Sequence, residues 1–285
     1  MKGRLIPLAF LPIFFLSLFC FPQFGFSIER YAKFEISLSV AQYNSSFKST
    51  YLSQYSPPFL SPGPYTSWAQ QELNFQGKKN WGYGAAATFF PSPYFGIQIL
   101  GRYFLVPFTG KNSTYNFHLE IPAITYDKQM IWSDSSGSLK HYFLGLNAVA
   151  RIWLAGGISL SLSGGGGYYY FKGEASGPGF TKFWLSEKFF LESETYQLMW
   201  TLEPEKKFGY NGGAELDLPF HQNFGFYAEF RYFSCPETIF SLSIKEEGSI
   251  TFEQNMPLIK QYLPIKQLTI KPSFSTINIG LKYKF

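Results

Sequence analysis

The last nine residues run Ile277, Asn278, Ile279, Gly280, Leu281, Lys282, Tyr283, Lys284, Phe285. Odd positions are apolar or aromatic, even positions small or polar, and the alternation continues to the final residue. Successive side chains on a strand point to opposite faces, so this segment has one greasy face and one polar face. A water-soluble domain seldom ends on an exposed phenylalanine. A strand of this kind calls for a sheet with a whole apolar face and a medium or core to receive it.

Seven more segments carry the same period of two: residues 33–42, 80–90, 95–106, 139–153, 157–171, 208–218 and 224–233. In the first, Phe34, Ile36, Leu38 and Val40 alternate with Glu35, Ser37 and Ser39. In the seventh, Phe224, Phe226, Ala228, Phe230 and Tyr232 alternate with Glu229 and Arg231. Each is long enough to cross a bilayer as a tilted strand, which takes ~9–11 residues. Their connections alternate too. Pro91–Tyr94, Leu154–Gly156 and Pro219–Asn223 are short and rich in turn residues, whereas 44–79, 107–138, 172–207 and 234–273 are long. Both ends of the series fall on the short-turn side.

Composition narrows the choice. Only 15% of residues are charged, which excludes a disordered or coiled-coil chain, and a mean hydropathy of −0.06 excludes a bundle of membrane helices. Aromatics make up 21% and gather near strand ends, as at Trp81, Phe89, Tyr94, Tyr103, Trp153, Tyr168 and Tyr283, the places where interfacial girdles form. A secreted sandwich or lipocalin-like barrel also alternates, but its connections do not sort into a short side and a long side.

At the N-terminus Lys2 and Arg4 precede an apolar run from Leu5 to Phe21, and Gly25, Phe26 and Ser27 give a small-x-small pattern. Residues 1–27 are expected to be a signal peptide and 28–285 the mature domain. The alternative, a retained anchor, fits poorly with Pro7 and Pro12. Phe19 is too bulky to precede a lipidated Cys20. With Lys2 and Arg4 gone the net charge falls from +5 to +3, too weak to argue for nucleic acid. Cys235 is then the lone cysteine, which excludes an internal disulfide.

The terminal aromatic strand, with Leu281, Tyr283 and Phe285 on its apolar face, resembles the assembly signal of bacterial outer-membrane β-barrels. In layout the chain resembles the OmpA/OmpW-like eight-stranded type, without a peptidoglycan-binding domain. The resemblance implies an all-β, antiparallel, up-and-down transmembrane barrel with short periplasmic turns and four long extracellular loops. A ten-stranded count would need a loop hairpin to join the wall. It further implies a Gram-negative-type outer membrane, a monomer, contact with outer-membrane lipid, and handling by the barrel assembly machinery through the last strand.

The inward positions hold Glu35, Arg102, Arg151, Glu215, Asp217, Glu229, Arg231, Lys282 and Lys284. An eight-stranded barrel is just wide enough for side chains to fill it, so these charges must be paired or solvated. Their mixed sign points to a network of ion pairs filling the lumen rather than a selectivity ring of one sign. A narrow channel is the alternative. An OmpW-like passage for a small apolar molecule is another, with Phe143, Tyr169 and Phe171 as its pocket.

Catalysis has thin support. His118 and His221 fall in connections, and His141 lies near the outer end of the fourth strand, close in sequence to Asp134, Ser135 and Ser136. Spacing alone does not make them converge, and a lipid-modifying enzyme is the least favoured reading. No metal-ligand spacing and no cofactor motif is present. The run Gly164–Gly167 precedes no helix, so it is expected to bend the wall or admit bulky neighbours rather than bind phosphate. Among the long connections, Tyr115–Ile121 and Ser249–Glu253 are expected to extend strands as hairpins, and Tyr51–Tyr65 to form an irregular cap. They leave surface binding open as a role.

Overall fold

A computed structural model describes residues 32–45, 48–55, 66–110, 114–121, 124–131, 135–185, 191–245, 256–257, 259–261 and 266–285. The expected signal peptide lies outside the described residues, as do Asp134 and the segment Ser249–Glu253.

Eight strands close into a ring: β1 (Phe34–Ser45), β4 (Asn80–Ser92), β5 (Phe95–Gly110), β8 (Ser136–Trp153), β9 (Ser159–Leu185), β10 (Leu191–Pro219), β11 (Phe224–Ser234) and β14 (Phe274–Lys284). Each is antiparallel to both neighbours. The last joins the first, with Ile36 opposite Tyr283 and Val40 opposite Ile279. The chain is therefore an eight-stranded, up-and-down transmembrane β-barrel, whose wall is paired strand to strand all the way round.

Three short turns close one end: Pro93–Tyr94, the 3-10 turn Ala155–Gly157, and residues 220–223. Gly156 and Gly157 take φ of 72° and 77°, a left-handed turn that a side chain would strain. At the other end the connections are longer, as expected, and they hold more strand than the sequence alone indicates. Much of 172–207 is strand, since β9 and β10 pair from Asp217–Ser159 up to Leu191–Leu185, with register shifts after Tyr196 and Leu202. In 44–79, β2 (Lys48–Tyr55) pairs with β3 (Thr66–Gly77), so Tyr51–Tyr55 is regular strand rather than irregular cap, and residues 56–65 lie outside the described residues. The stretch Tyr115–Ile121 lies in β6 (Thr114–Ile121), which forms a hairpin with β7 (Ile124–Ile131). β12 (Thr238–Ile244) pairs with β10 and with β13 (Gln267–Ile270). These added strands build upward from the wall, and the ring keeps eight members.

The two faces of the wall divide as period two requires. Outside, Leu38, Tyr83, Leu144, Tyr168, Tyr210 and Ile279 are each more than 60% exposed. A water-soluble protein does not present an apolar surface running all around its girth, and this is the band that lipid covers. Inside, the lower half is polar and the upper half is aromatic. The apolar core lies in that upper half and in the strands above it, from Phe104, Phe143 and Tyr169 up through Phe108, Trp200, Leu202 and Leu268.

Candidate functional site

All nine inward charges face the interior, and they form two groups. The lower group sits near the short turns. Arg151 (β8) donates to both oxygens of Glu35 (β1) at 2.8 and 2.6 Å and lies over the Phe90 ring at 3.8 Å. Lys282 (β14) bonds Glu215 (β10) and stands 3.5 Å from both Glu35 and Asp217, while Lys284 pairs with Asp217 at 2.8 Å. Three carboxylates thus face three cations. Burial disfavours an unpaired charge strongly, and pairing within one closed group removes most of that penalty.

The middle group centres on Glu229 (β11). It accepts from Arg102 (β5) at 2.9 Å, from Nε of Arg231 at 2.8 Å and from Asn278 (β14) at 2.6 Å. One carboxylate here faces two guanidinium groups; neutral polar residues take up further donors, and Arg102 Nε is left buried without a partner. Arg102 donates to Ser39 at 3.1 Å; Arg231 donates to Ser163 at 2.6 Å and also to Asn211. Asn211 donates to Asn147 at 2.8 Å, Asn147 to Gln98 at 3.0 Å, and Gln98 to Thr88 at 3.4 Å. These amides and hydroxyls come from every part of the ring and carry the chain of bonds across the lumen. The charge pattern alone missed them. Their signal was parity, because each occupies an inward position of its strand. Between the groups is a cavity of about 10 Å³, room for no more than one water.

Glycines make the space these long side chains need. A Cβ at Gly84 would fall 1.8 Å from the Arg102 guanidinium, and one at Gly167 would lie 2.4 Å from the Leu144 carbonyl and 2.8 Å from the Phe143 ring. Within Gly164–Gly167 it is the inward members, Gly165 and Gly167, whose neighbours leave no room for a side chain.

Above the ionic groups an aromatic layer crosses the lumen. Phe143 lies 4.7 Å from Tyr169 and 5.2 Å from Phe233; Phe233 stacks on Phe274 at 4.6 Å, and Tyr43 sits 4.4 Å from Phe274 (centroid distances). Phe143, Tyr169 and Phe171 are all at least 96% buried, so the residues expected to line an apolar pocket pack against one another. His141 is in this layer too, 4.2 Å from Phe171, with no hydrogen bond to either ring nitrogen. Ser136 lies five residues up the same strand, about 17 Å away, so the two do not converge. His118 (β6) bonds Asp127 (β7) at 2.7 Å and stacks on Trp68, and His221 lies in the lowest turn. Among the described residues no serine or cysteine bonds a histidine, and no group of three metal-binding side chains occurs.

At the lower rim the last strand presents Leu281 and Phe285 outward. The Phe285 ring packs on Tyr283 at 4.6 Å and Phe34 at 5.6 Å, and its backbone N–H donates to the Phe34 carbonyl at 2.9 Å.

No family model and no curated protein matches the chain. Among solved structures it is similar to Ail, the attachment invasion locus protein of Yersinia pestis, at 14% identity and TM-score 0.35, covering 90% of this chain and 100% of that one. It is also similar to Neisserial surface protein A at 10% identity and TM-score 0.34, covering 89% and 98%. A major outer membrane protein from Thermus thermophilus aligns at 11% identity and TM-score 0.40, covering 88% and 99%. All are small outer-membrane β-barrels. The closed ring and its lipid-facing girdle define the same class for this chain without them.

Proposed function

We propose that this protein is a non-enzymatic, surface-exposed barrel of a Gram-negative-type outer membrane, reached through cleavage of residues 1–27, and that its lumen is closed to ions and solutes. The single observation that supports closure most is the middle group. Arg102, Arg231 and Glu229 are at least 95% buried and are tied through Asn211, Asn147 and Gln98 to strands on the far side. A water-filled path would have to break those bonds, and each broken bond to a buried charge is costly. The aromatic layer adds a second barrier above it. We take the barrel as a monomer, a reading supported by ring closure, which leaves no open strand edge for a second copy to extend. The outward face of Leu281, Tyr283 and Phe285 is the surface offered to the assembly machinery. Function then resides in the strands above the membrane.

Planar-bilayer recording on the refolded, full-length protein tests closure. A quiet membrane at protein levels that give heat-modifiable, inserted barrel is the expected result. Steady, reproducible single-channel steps that disappear when Glu229 or Arg102 is altered would overturn it in favour of a narrow channel.

A further inference from the structure

The inward charges are paired, but a cluster of three cations on the outer wall is not. Lys140 (β8), Lys172 (β9) and Lys206 (β10) are exposed on the lipid-facing side and form no ion pair among the described residues. Lys140 is directly opposite Lys172, and Tyr170, two residues below Lys172, is directly opposite Lys206. Like charges facing each other across a ladder repel, and the diagonal neighbour is within ~7–8 Å. Glu174, opposite Ser138 one step higher, pairs with none of the three, and Glu205 is engaged by Lys207 at 3.5 Å. Three lysines beside one glutamate that pairs with none of them leave a net positive corner of the wall, a place for an anion.

Their height identifies the anion's source. On β8 the apolar outward run extends from Tyr142 to Ile152. Ten residues at ~3.4 Å each, tilted by ~40°, span ~25 Å, which is the thickness of the apolar band of such barrels. Lys140 is two residues beyond its upper end, at the level of lipid headgroups on the long-strand side. Directly below runs an open groove of about 870 Å³ on the same outer wall. Its upper lip is the tyrosine row Tyr83, Tyr103, Tyr142 and Tyr170, in register across four strands, and Lys206 ends that row. Its floor recedes because Ala85 and Gly101 are small there; a Cβ at Gly101 would meet only the Ala85 carbonyl, at 3.8 Å.

We propose that this corner binds one phosphorylated lipid of the outer leaflet, with Lys140, Lys172 and Lys206 holding the phosphate and an acyl chain lying in the groove beneath the tyrosines. A compact ammonium is suited to a phosphate as a point charge, and an apolar groove under a basic cluster selects a lipid over a free ion. The proposal rests on the membrane orientation given above.

Native mass spectrometry of the full-length protein in neutral detergent tests it, with a diphosphorylated lipid A as probe and its dephosphorylated form as comparison. One lipid bound per barrel is expected. Occupancy should fall at least tenfold in the triple variant Lys140→Gln, Lys172→Gln, Lys206→Gln, and also in Gly101→Leu, which fills the groove without touching a charge. Lys78→Gln, Lys79→Gln, Lys271→Gln, three exposed lysines elsewhere, should leave it unchanged. Equal loss in the two triple variants, equal binding of the dephosphorylated lipid, or displacement by excess inorganic phosphate would each overturn the site. Heat-modifiable migration of every variant separates these outcomes from a failure of the membrane reading itself: a protein that never forms the compact band overturns the barrel orientation instead.

Discussion

Glu229 is the residue on which the middle of the lumen depends. It is one carboxylate between two guanidinium groups, and removing its charge would leave Arg102 and Arg231 buried without an anion. Breaking a buried pair in this way typically costs about 3–5 kcal/mol. Glu229→Gln is expected to lower the urea midpoint of the compact band by a corresponding amount, and a second change, Arg102→Gln, to recover part of the loss. An unchanged midpoint would mean that water already reaches these groups. Cys235, just above the outer end of β11, offers an independent probe. It is 2% exposed, its N–H and carbonyl are bonded to the Ser273 hydroxyl, and burial pushes its thiol up to about 12. The thiolate is the reactive form, so the folded protein is expected to resist alkylation at pH 8 and the boiled protein to react promptly. Mass spectrometry of the peptide containing Cys235 reads the difference. Rapid labelling of the folded form would show that the apolar core above the rim opens to water.

At the level of strands, the inward glycines of β9 are constrained by neighbouring backbone, which a side chain cannot push aside. Gly167→Val is expected to reduce the yield of compact, heat-modifiable protein, because its first carbon already collides with the Leu144 carbonyl, and overpacking costs about 1–3 kcal/mol even in cores that can adjust. Gly101→Leu, on the lipid side, is expected to refold as the parent does. Equal refolding of both would mean the wall at β8 and β9 is more pliant than its spacing indicates. The ring strands themselves were legible in the sequence, since lipid on one side and a polar lumen on the other impose a clean period of two. Above the membrane that signal fades. In the upper part of β9 and β10 headgroups and then water replace acyl chains outside, so Lys206 and Glu174 stand where leucine or tyrosine would stand lower down. Pro178, Pro204 and two register shifts interrupt the alternation as well. Those stretches therefore read as loops. In the lumen the charged residues stood out, whereas Gln98, Asn147, Asn211 and Asn278 did not, because neutral amides draw attention only once a partner is seen. His141 drew attention for the opposite reason. Its chemistry suggested catalysis, but its surroundings are aromatic rings.

For the whole molecule, ring closure has a direct signature. Extracted from membranes and kept unboiled, the protein should migrate as a compact, fast band that slows only after heating, since all eight ladders must break before the chain can extend. A single band at the same position before and after boiling would mean the ring does not persist outside the bilayer. The polar lower lumen and the aromatic upper lumen also divide the barrel's stability between two kinds of interaction. High salt should weaken the first little, because the pairs are shielded from solvent, and low temperature should weaken the second.

The ladder between β9 and β10 outlasts the bilayer. Twenty-seven residues of β9 trace about 90 Å, and a tilted course through the apolar band uses only about a third of that length. The wall and the paired strands above it thus belong to one sheet, stepped by the register shifts after Leu202 and Tyr196 but carried past the membrane surface without a break in the chain's strand course. A force applied to the upper ends of β9 and β10 would be carried down the strands into the ring, as in a mast stepped through a deck. Anything that grips the protein from outside the cell would be pulling on the barrel as a whole.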